Sequence, residues 1–276
     1  MSRKVRVALI QMRSGLDPAK NRAQAAPMLR AAATDGARLV ATPEMSVRLD
    51  RDRERLLAAV GPEKGDPEIA AWGRMAQEYG VWLLLGSMAV ASGEGKVFNR
   101  SLLFDPDGRI VARYDKINLF DVSLGGGEAY RESETVTPGA KAVLADGPMG
   151  AKLGLTICYD LRFAPLYAAL AKAGAEIIAV PAAFTRPTGE AHWQTLLRAR
   201  AIETGAFVIA PAQGGRHEDG RSTWGRSMMI DPWGKVIAKL DHDEPDLLMA
   251  DLDLDLVKQA RAKIPAWAGG PAFEGP

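Results

Sequence analysis

Short apolar runs that stop at a polar or helix-breaking residue recur along the whole chain, and most are separated by segments of helical periodicity. Runs of four to eight apolar residues suit buried strands and are too short for most helices. "VRVALIQ" (5–11) is the first, followed by a helical pattern from Ala19 to Ala33. "RLVATPEM" ends at Glu44, and a helix from about Glu68 to Tyr79 precedes "VWLLLGSMAV". "VFNRSLLFDPDGRIVARYDK" reads as a hairpin turning at Asp105-Pro106-Asp107-Gly108. After it comes a Gly-rich, acidic stretch, "INLFDVSLGGGEAYRESETVTPG", that reads as a long loop. The second half repeats the plan. "LGLTIC", "AEIIAVPAAF" and "AFVIAPAQ" are strands, with helices after Cys158 and from about Glu190 to Thr204. "SMMIDPWGKVIAKL" is a second hairpin, turning at Asp231-Pro232-Trp233-Gly234, and a strand and short helix close the pattern. Each half therefore contributes βαβ units and a hairpin, which predicts an α/β protein with helix-covered sheets. No linker-like shift in composition divides the chain. Residues 1–276 read as one domain, with 264–276 a Pro/Gly/Ala-rich tail.

Charge and composition exclude several functions. The 35 Lys and Arg nearly balance the 34 Asp and Glu, and no basic stripe marks a nucleic-acid partner. No apolar stretch approaches the ~20 residues of a membrane span, and the opening "MSRKVRVALIQM" reads as a strand, not a signal peptide. One cysteine permits no intrachain disulfide, which fits a reducing cytoplasm. No metal is expected, because one cysteine and three scattered histidines (His192, His217, His242) form no ligand motif. The glycines at 125–127 lack the Lys-Ser/Thr of a phosphate loop, and no cofactor is expected.

The chemistry is concentrated at strand ends. Cys158, in "LGLTICYDLRF", stands where a strand-like run gives way to a helical one that starts near Pro165. The carboxyl edge of an α/β sheet is where reacting groups commonly sit. Glu44 ends a second apolar run and Lys116 ends a hairpin strand. Together these types can activate a thiol without histidine or metal. A carboxylate takes the thiol proton, and an ammonium stabilises the negative oxygen that forms on attack.

In order and spacing, "ATPEMS", "YDKINLFDV" and "GLTICYDLRF" resemble the three signatures of the nitrilase (carbon–nitrogen hydrolase) superfamily. The likeness extends from "VALIQM" to "MADLDLDLV". It implies a four-layer αββα sandwich, with the family's glutamate, lysine and cysteine falling on Glu44, Lys116 and Cys158. A further family glutamate falls on Glu132, which would orient the lysine and the base. The implied reaction is hydrolysis of a small linear amide through a thioester, with ammonia release and the backbone N–H of Tyr159 helping Lys116 to hold the oxyanion. "CYDLRF", "TGEAHWQTLLRARAIET" and "DPWG" resemble the Nit branch, and "APAQGGRHEDGR" resembles the subgroup acting on deaminated glutathione. An ω-amidase acting on α-ketoglutaramate, a nitrilase and an idle scaffold of the same fold are the alternatives. A substrate bearing carboxylates needs fixed cations, for which Arg162, Arg186 and Arg216, in loops after strands, are candidates. Phe184, Thr185 and His217 are candidates for the pocket lining. The resemblance also implies a homodimer or higher homo-oligomer. Arg226 departs from the family, which often has histidine there.

Overall fold

The computed structural model describes residues 3–125, 128–272 and 274–275. In chain order the first half runs β1 (Lys4–Gln11), α1 (Pro18–Thr34), β2 (Leu39–Ala41), α2 (Arg53–Ala59), α3 (Pro67–Tyr79), β3 (Trp82–Gly93), β4 (Lys96–Phe104) and β5 (Ile110–Asp115). A small hairpin follows, β6 (Asp121–Gly125) with β7 (Glu128–Arg131). The second half runs β8 (Val143–Asp146), β9 (Lys152–Leu155), α4 (Ala164–Lys172), β10 (Ile177–Ala179), α5 (Arg186–Thr204), β11 (Phe207–Ala210), β12 (Gly214–Arg216), β13 (Ser222–Trp224), β14 (Met228–Ile230), β15 (Val236–Lys239), β16 (Asp246–Asp253) and α6 (Asp255–Lys263).

Two six-stranded sheets share one plan. Their orders are β16-β1-β2-β3-β4-β5 and β8-β9-β10-β11-β14-β15. Read in those directions, both sheets are antiparallel, parallel, parallel, antiparallel, antiparallel. The helices α1 and α3 are the crossovers of the first sheet, and α4 and α5 those of the second. The local signals are strong. Asp17 and Asp66 cap α1 and α3 by accepting N–H bonds from the first turns, each with proline just inside the helix. The two hairpin turns are twins. Asp105 Oδ1 accepts from the N–H groups of Asp107 and Arg109, and Asp231 Oδ1 from those of Trp233 and Lys235.

The layers follow from side-chain alternation. Val7, Leu9, Ala41 and Leu103 on one face of the first sheet share a core with Leu153, Leu155, Ile177 and Phe207 of the second. The opposite face of the first sheet, including Ile10, Val40, Leu83 and Leu102, packs on Leu29 of α1 and Trp72 of α3. On the far side of the second sheet lie Tyr167 and Leu170 of α4 and Trp193 and Leu197 of α5. The architecture is the four-layer αββα sandwich.

One reading needs correction. The stretch read as a long loop contains the β6–β7 hairpin, with Asp121 opposite Arg131 and Val122 opposite Tyr130. Gly126 and Gly127 lie outside the described residues. In the tail, the turn Pro265–Ala268 rests against α4, and the Arg261 guanidinium stacks on Trp267 at 4.8 Å. Among the described residues no helix is long and apolar enough to cross a membrane.

Candidate active site

Glu44, Cys158 and Ala183 all follow the carboxyl ends of parallel strands, β2, β9 and β10 respectively. Lys116 follows β5. The topology thus brings together four separate segments, two from strand ends of each sheet.

Each segment is fixed by its own local bonds. Behind Glu44, Gly86 lets the chain pass close: a Cβ there would stand 2.0 Å from the Thr42 carbonyl, 2.4 Å from that of Pro43 and 2.6 Å from Pro181 Cβ. The Glu44 carbonyl accepts from Gln213 Nε2 (2.9 Å), and the Met45 N–H donates to Ser87 Oγ (2.8 Å). Lys116 donates its N–H to the Asn99 carbonyl of β4 (2.9 Å). Cys158 opens a short 3-10 turn, Cys158–Arg162, in the left-handed region (φ 47°), uncommon for a residue with a side chain. Its N–H donates to the Pro181 carbonyl (2.9 Å). Buried Asp160 holds this elbow. Its Oδ2 accepts from the Ile157 N–H (2.9 Å) and the Tyr114 hydroxyl (2.6 Å), and its Oδ1 from both the N–H (2.9 Å) and Nδ2 (2.8 Å) of Asn118. One carboxylate therefore ties the cysteine turn to the segment that leaves Lys116.

The reactive groups meet at the floor of a cleft. Lys116 Nζ lies 2.9 Å from Glu44 Oε1, and 3.0 and 2.9 Å from the two oxygens of Glu132. Glu44 Oε2 accepts the Ala183 N–H (2.9 Å), and Glu44, Lys116 and Cys158 line the same cleft. Glu132 begins a 3-10 turn and accepts the Phe120 N–H at 2.6 Å. Glu44, Lys116 and Cys158 are all buried.

Their electrostatics are mutual. Burial works to raise the Glu44 carboxyl, but the Lys116 charge and hydrogen bonds from Cys158, Lys116 and Asn99 outweigh it, holding the group below the usual carboxylate range. Burial works against the Lys116 ammonium, yet Glu132 and Glu44 carry it well above an ordinary lysine. Burial and then the Glu44 charge push the Cys158 thiol well up. At neutral pH the cluster rests as carboxylate, ammonium and thiol.

The cleft holds about 1100 Å³ of empty space, its open mouth included. Phe120, Tyr130 and Tyr159 form an aromatic wall, with centroids 4.9 Å apart for Phe120–Tyr130 and 5.0 Å for Phe120–Tyr159. Tyr159, in the first turn of the 3-10 segment, is where backbone N–H groups have no partner within the turn. Of the residues expected to meet substrate, Arg162, Phe184 and Thr185 line this cleft. Arg162 is held over the faces of Tyr159 and Phe184, 5.8 and 5.7 Å from the ring centres.

The other three do not line it. Arg186 is the first residue of α5, not a loop residue, and its guanidinium pairs with Asp243 at 3.3 Å. Arg216 belongs to β12 and is exposed. His217 is buried against the neighbouring wall. Its Nδ1–H donates to the Ser14 carbonyl (2.9 Å), so the other ring nitrogen accepts from the Thr223 hydroxyl (2.7 Å); burial keeps the ring neutral. Arg226 also lies away from the cleft, its guanidinium 3.9 Å from the Trp224 ring centre and its carbonyl accepting from Trp193 Nε1 (2.9 Å). The sequence reading overlooked Asn99 and Asp160. Asn99 could have been found as a polar residue, with Ser101, in the inward phase of β4, and Asp160 as an acid in the turn that follows the apolar run ending at Cys158.

Comparison with known proteins places the chain in a family. The family model described as carbon-nitrogen hydrolase matches residues 6–262. The chain is 43% identical over 262 residues to the deaminated glutathione amidase of Yersinia enterocolitica, covering 94% of this chain and 90% of that protein. Among solved structures it is similar to the Caenorhabditis elegans NitFhit protein, with 34% identity and a TM-score of 0.88 over 97% of this chain; it spans 65% of that longer chain. It is also similar to Saccharomyces cerevisiae Nit3, a member of branch 10 of the nitrilase superfamily, with 27% identity, a TM-score of 0.84, and 95% and 94% of the two chains covered. Matched over nearly its whole length, the chain belongs to the carbon–nitrogen hydrolase family and hydrolyses carbon–nitrogen bonds other than peptide bonds.

Proposed function

We propose that the protein is a deaminated glutathione amidase in which Cys158 is the nucleophile, Glu44 the general base, Lys116 and the Tyr159 N–H the oxyanion donors, and Glu132 an orienting carboxylate. The observation that carries the reading is the ion pair of Glu44 with Lys116 (2.9 Å) in the cleft that buried Cys158 also lines, together with several arginines. Glu44 removes the thiol proton as Sγ bonds to the amide carbon, and the carbonyl electrons move onto an oxygen that faces Lys116. Collapse of this adduct breaks the carbon–nitrogen bond, and the Glu44 proton leaves with the amine. Glu44 then takes a proton from water as it attacks the thioester, and the thiol is restored.

The substrate's chemistry corrects one expectation. In deaminated glutathione the scissile nitrogen belongs to cysteinylglycine, so the leaving group is that dipeptide and the acid released is 2-oxoglutarate. Ammonia would come only from a primary amide such as α-ketoglutaramate. Deaminated glutathione carries a carboxylate at each end, and the cleft offers cations on separate elements. Arg162 stands beside Cys158, while Arg51, Arg53 and Arg131 line the cleft from other segments. Among the described residues none of these four has a carboxylate within ion-pair distance, whereas Arg221 is paired with Asp219 and Asp50 with Arg55. Arg162, Phe184 and Thr185 are assigned to the acyl side because they flank the nucleophile.

A homodimer is part of the same proposal. Ile202 and Trp233 are more than half exposed and adjacent, since a Cβ on Gly234 would touch Ile202, and such an apolar patch suits self-association. A cytoplasmic setting suits a catalytic thiol that must stay reduced.

The test offers deaminated glutathione and α-ketoglutaramate in parallel to wild-type and Cys158→Ala protein, with 2-oxoglutarate, cysteinylglycine and ammonia all measured. Equal amounts of 2-oxoglutarate and cysteinylglycine from the first substrate, abolished by the mutation, are expected. Faster turnover of the second would reassign the protein as an ω-amidase.

A further inference from the structure

Among the described residues, Asn99 is the one uncharged side chain that, like Lys116, bonds both carboxylates of the cluster. It is 1% exposed, and its Nδ2 lies 2.9 Å from Glu44 Oε1 and 3.3 Å from Glu132 Oε1. Its carbonyl takes the Lys116 N–H at 2.9 Å. We propose that Asn99 is a positioning residue for the hydrolysis, holding the base Glu44 and the carboxylate of Glu132 in register around Lys116 through one amide group.

Hydrogen-bond accounting supports the assignment. The three ammonium hydrogens of Lys116 face Glu44 Oε1 and both oxygens of Glu132. If Lys116 turns a hydrogen toward a developing oxyanion, one of those oxygens loses a donor. Glu44 Oε1 retains Asn99 when this happens, so the base keeps its place during attack. The donor must also be neutral. A second cation would make Glu44 a weaker base, and an acid in place of the amide would add a like charge.

The orientation of the amide is not free. Turning it over would set Oδ1 against two carboxylate oxygens, so the NH₂ must face them. Oδ1 is then buried with no hydrogen-bond partner among the described residues. A buried acceptor without a donor destabilises a fold, and the geometry that holds it there is the geometry that serves the two glutamates. The same Nδ2–Glu44 bond favours the ionised base.

The experiment compares Asn99→Ser and Asn99→Asp with wild type after thermal unfolding has shown which variants fold. Three quantities are read: kcat and KM on the turned-over amide, the pH dependence of kcat/KM, and the pH dependence of Cys158 alkylation by iodoacetamide. The alkylation needs no knowledge of the substrate, so this inference can fail or stand independently of the deaminated glutathione reading. For Asn99→Ser the expectation is a kcat loss of about 10- to 100-fold with KM changed less than about threefold, as for a misplaced base. The acid limbs of both kcat/KM and alkylation should move to higher pH. Asn99→Asp should lose more kcat than Asn99→Ser. A folded Asn99→Ser protein whose two acid limbs stay in place would overturn the proposal, whatever its kcat, and so would a loss confined to KM. If Asn99→Asp does not fold, Asn99→Ser alone decides.

Discussion

Glu44, Lys116 and Cys158 set one another's protonation, and that coupling has a readable pH signature. Glu44 is held below the ordinary carboxylate range, with burial opposed and outweighed by Lys116 and its hydrogen bonds. As pH falls through that lowered value, Glu44 gains a proton, and both the proposed base and its share of the ion pair with Lys116 are lost. The acid limb of kcat/KM should therefore lie below the usual carboxylate value of about 4.3. The sign for Lys116 is opposite. Its raised value means that its contribution is complete below the ordinary lysine range and is lost only as pH rises through the higher folded value. No alkaline limb from Lys116 is expected below about pH 10. A pH–rate profile checks both. Glu44→Gln, which keeps the shape but cannot accept the proton, should cost kcat at least about 100-fold, the lower end for general-base removal; loss of less than tenfold would remove Glu44 from that role.

At the scale of elements, the 3-10 turn Cys158–Arg162 depends on Asp160 more than on its own sequence. Four donors from Ile157, Tyr114 and Asn118 converge on that one buried carboxylate. Asp160→Ala would strand several of them, and each buried unsatisfied group costs about 1–3 kcal/mol. We expect a stability loss of at least about 3 kcal/mol in urea unfolding, together with loss of activity, because the left-handed conformation at Cys158 is held by these bonds. Stability within 1 kcal/mol of wild type, by the same scale, would show that Pro181 and the strand β9 suffice to hold the turn. The hairpin β6–β7 escaped the sequence reading for a related reason. Its glycines and acids carry no clear alternation, and its pairing gains support from the contact of Phe120 with Tyr130 and Tyr159. The Asp-Pro-x-Gly hairpins were legible because their turns are closed by bonds within five residues.

The whole molecule is a repeated scaffold carrying unrepeated chemistry. The three-residue strands β2 and β10 occupy matching places in their sheets, and the residues after them read Thr42-Pro43-Glu44 and Val180-Pro181-Ala182. One half places Glu44 at that position, while the other places a small residue followed by Ala183, whose N–H bonds the Glu44 carboxylate. Gly86 stands where both exits pass, close to Thr42, Pro43 and Pro181. Beyond the single chain, the adjoining Ile202 and Trp233 lead to an expectation in solution. Trp233→Glu should sediment as a smaller species than wild type, with an unchanged unfolding midpoint for the isolated chain because the side chain is exposed. Identical sedimentation of the two proteins would remove this face from any dimer.

The sequence by itself determined what depends on near neighbours. Strand length, helix caps, Asp-Pro-x-Gly turns and the repeated order of elements are local, and they specify layered α/β sheets. It also set the residue types available for chemistry, and with one cysteine and three scattered histidines a glutamate and a lysine were the natural partners for a thiol. Only the tertiary structure decided which cations face the cleft. Arg162 does, while Arg186 is turned to Asp243 and Arg216 is the exposed last residue of β12, although all three looked alike as arginines in loops after strands. It alone brought Asn99 to Glu44 and Glu132, and Asp160 to Tyr114 and Asn118. The physical reason is range. Capping and turn bonds act over a few residues, whereas the burial and charge that make this site reactive are properties of where distant segments meet.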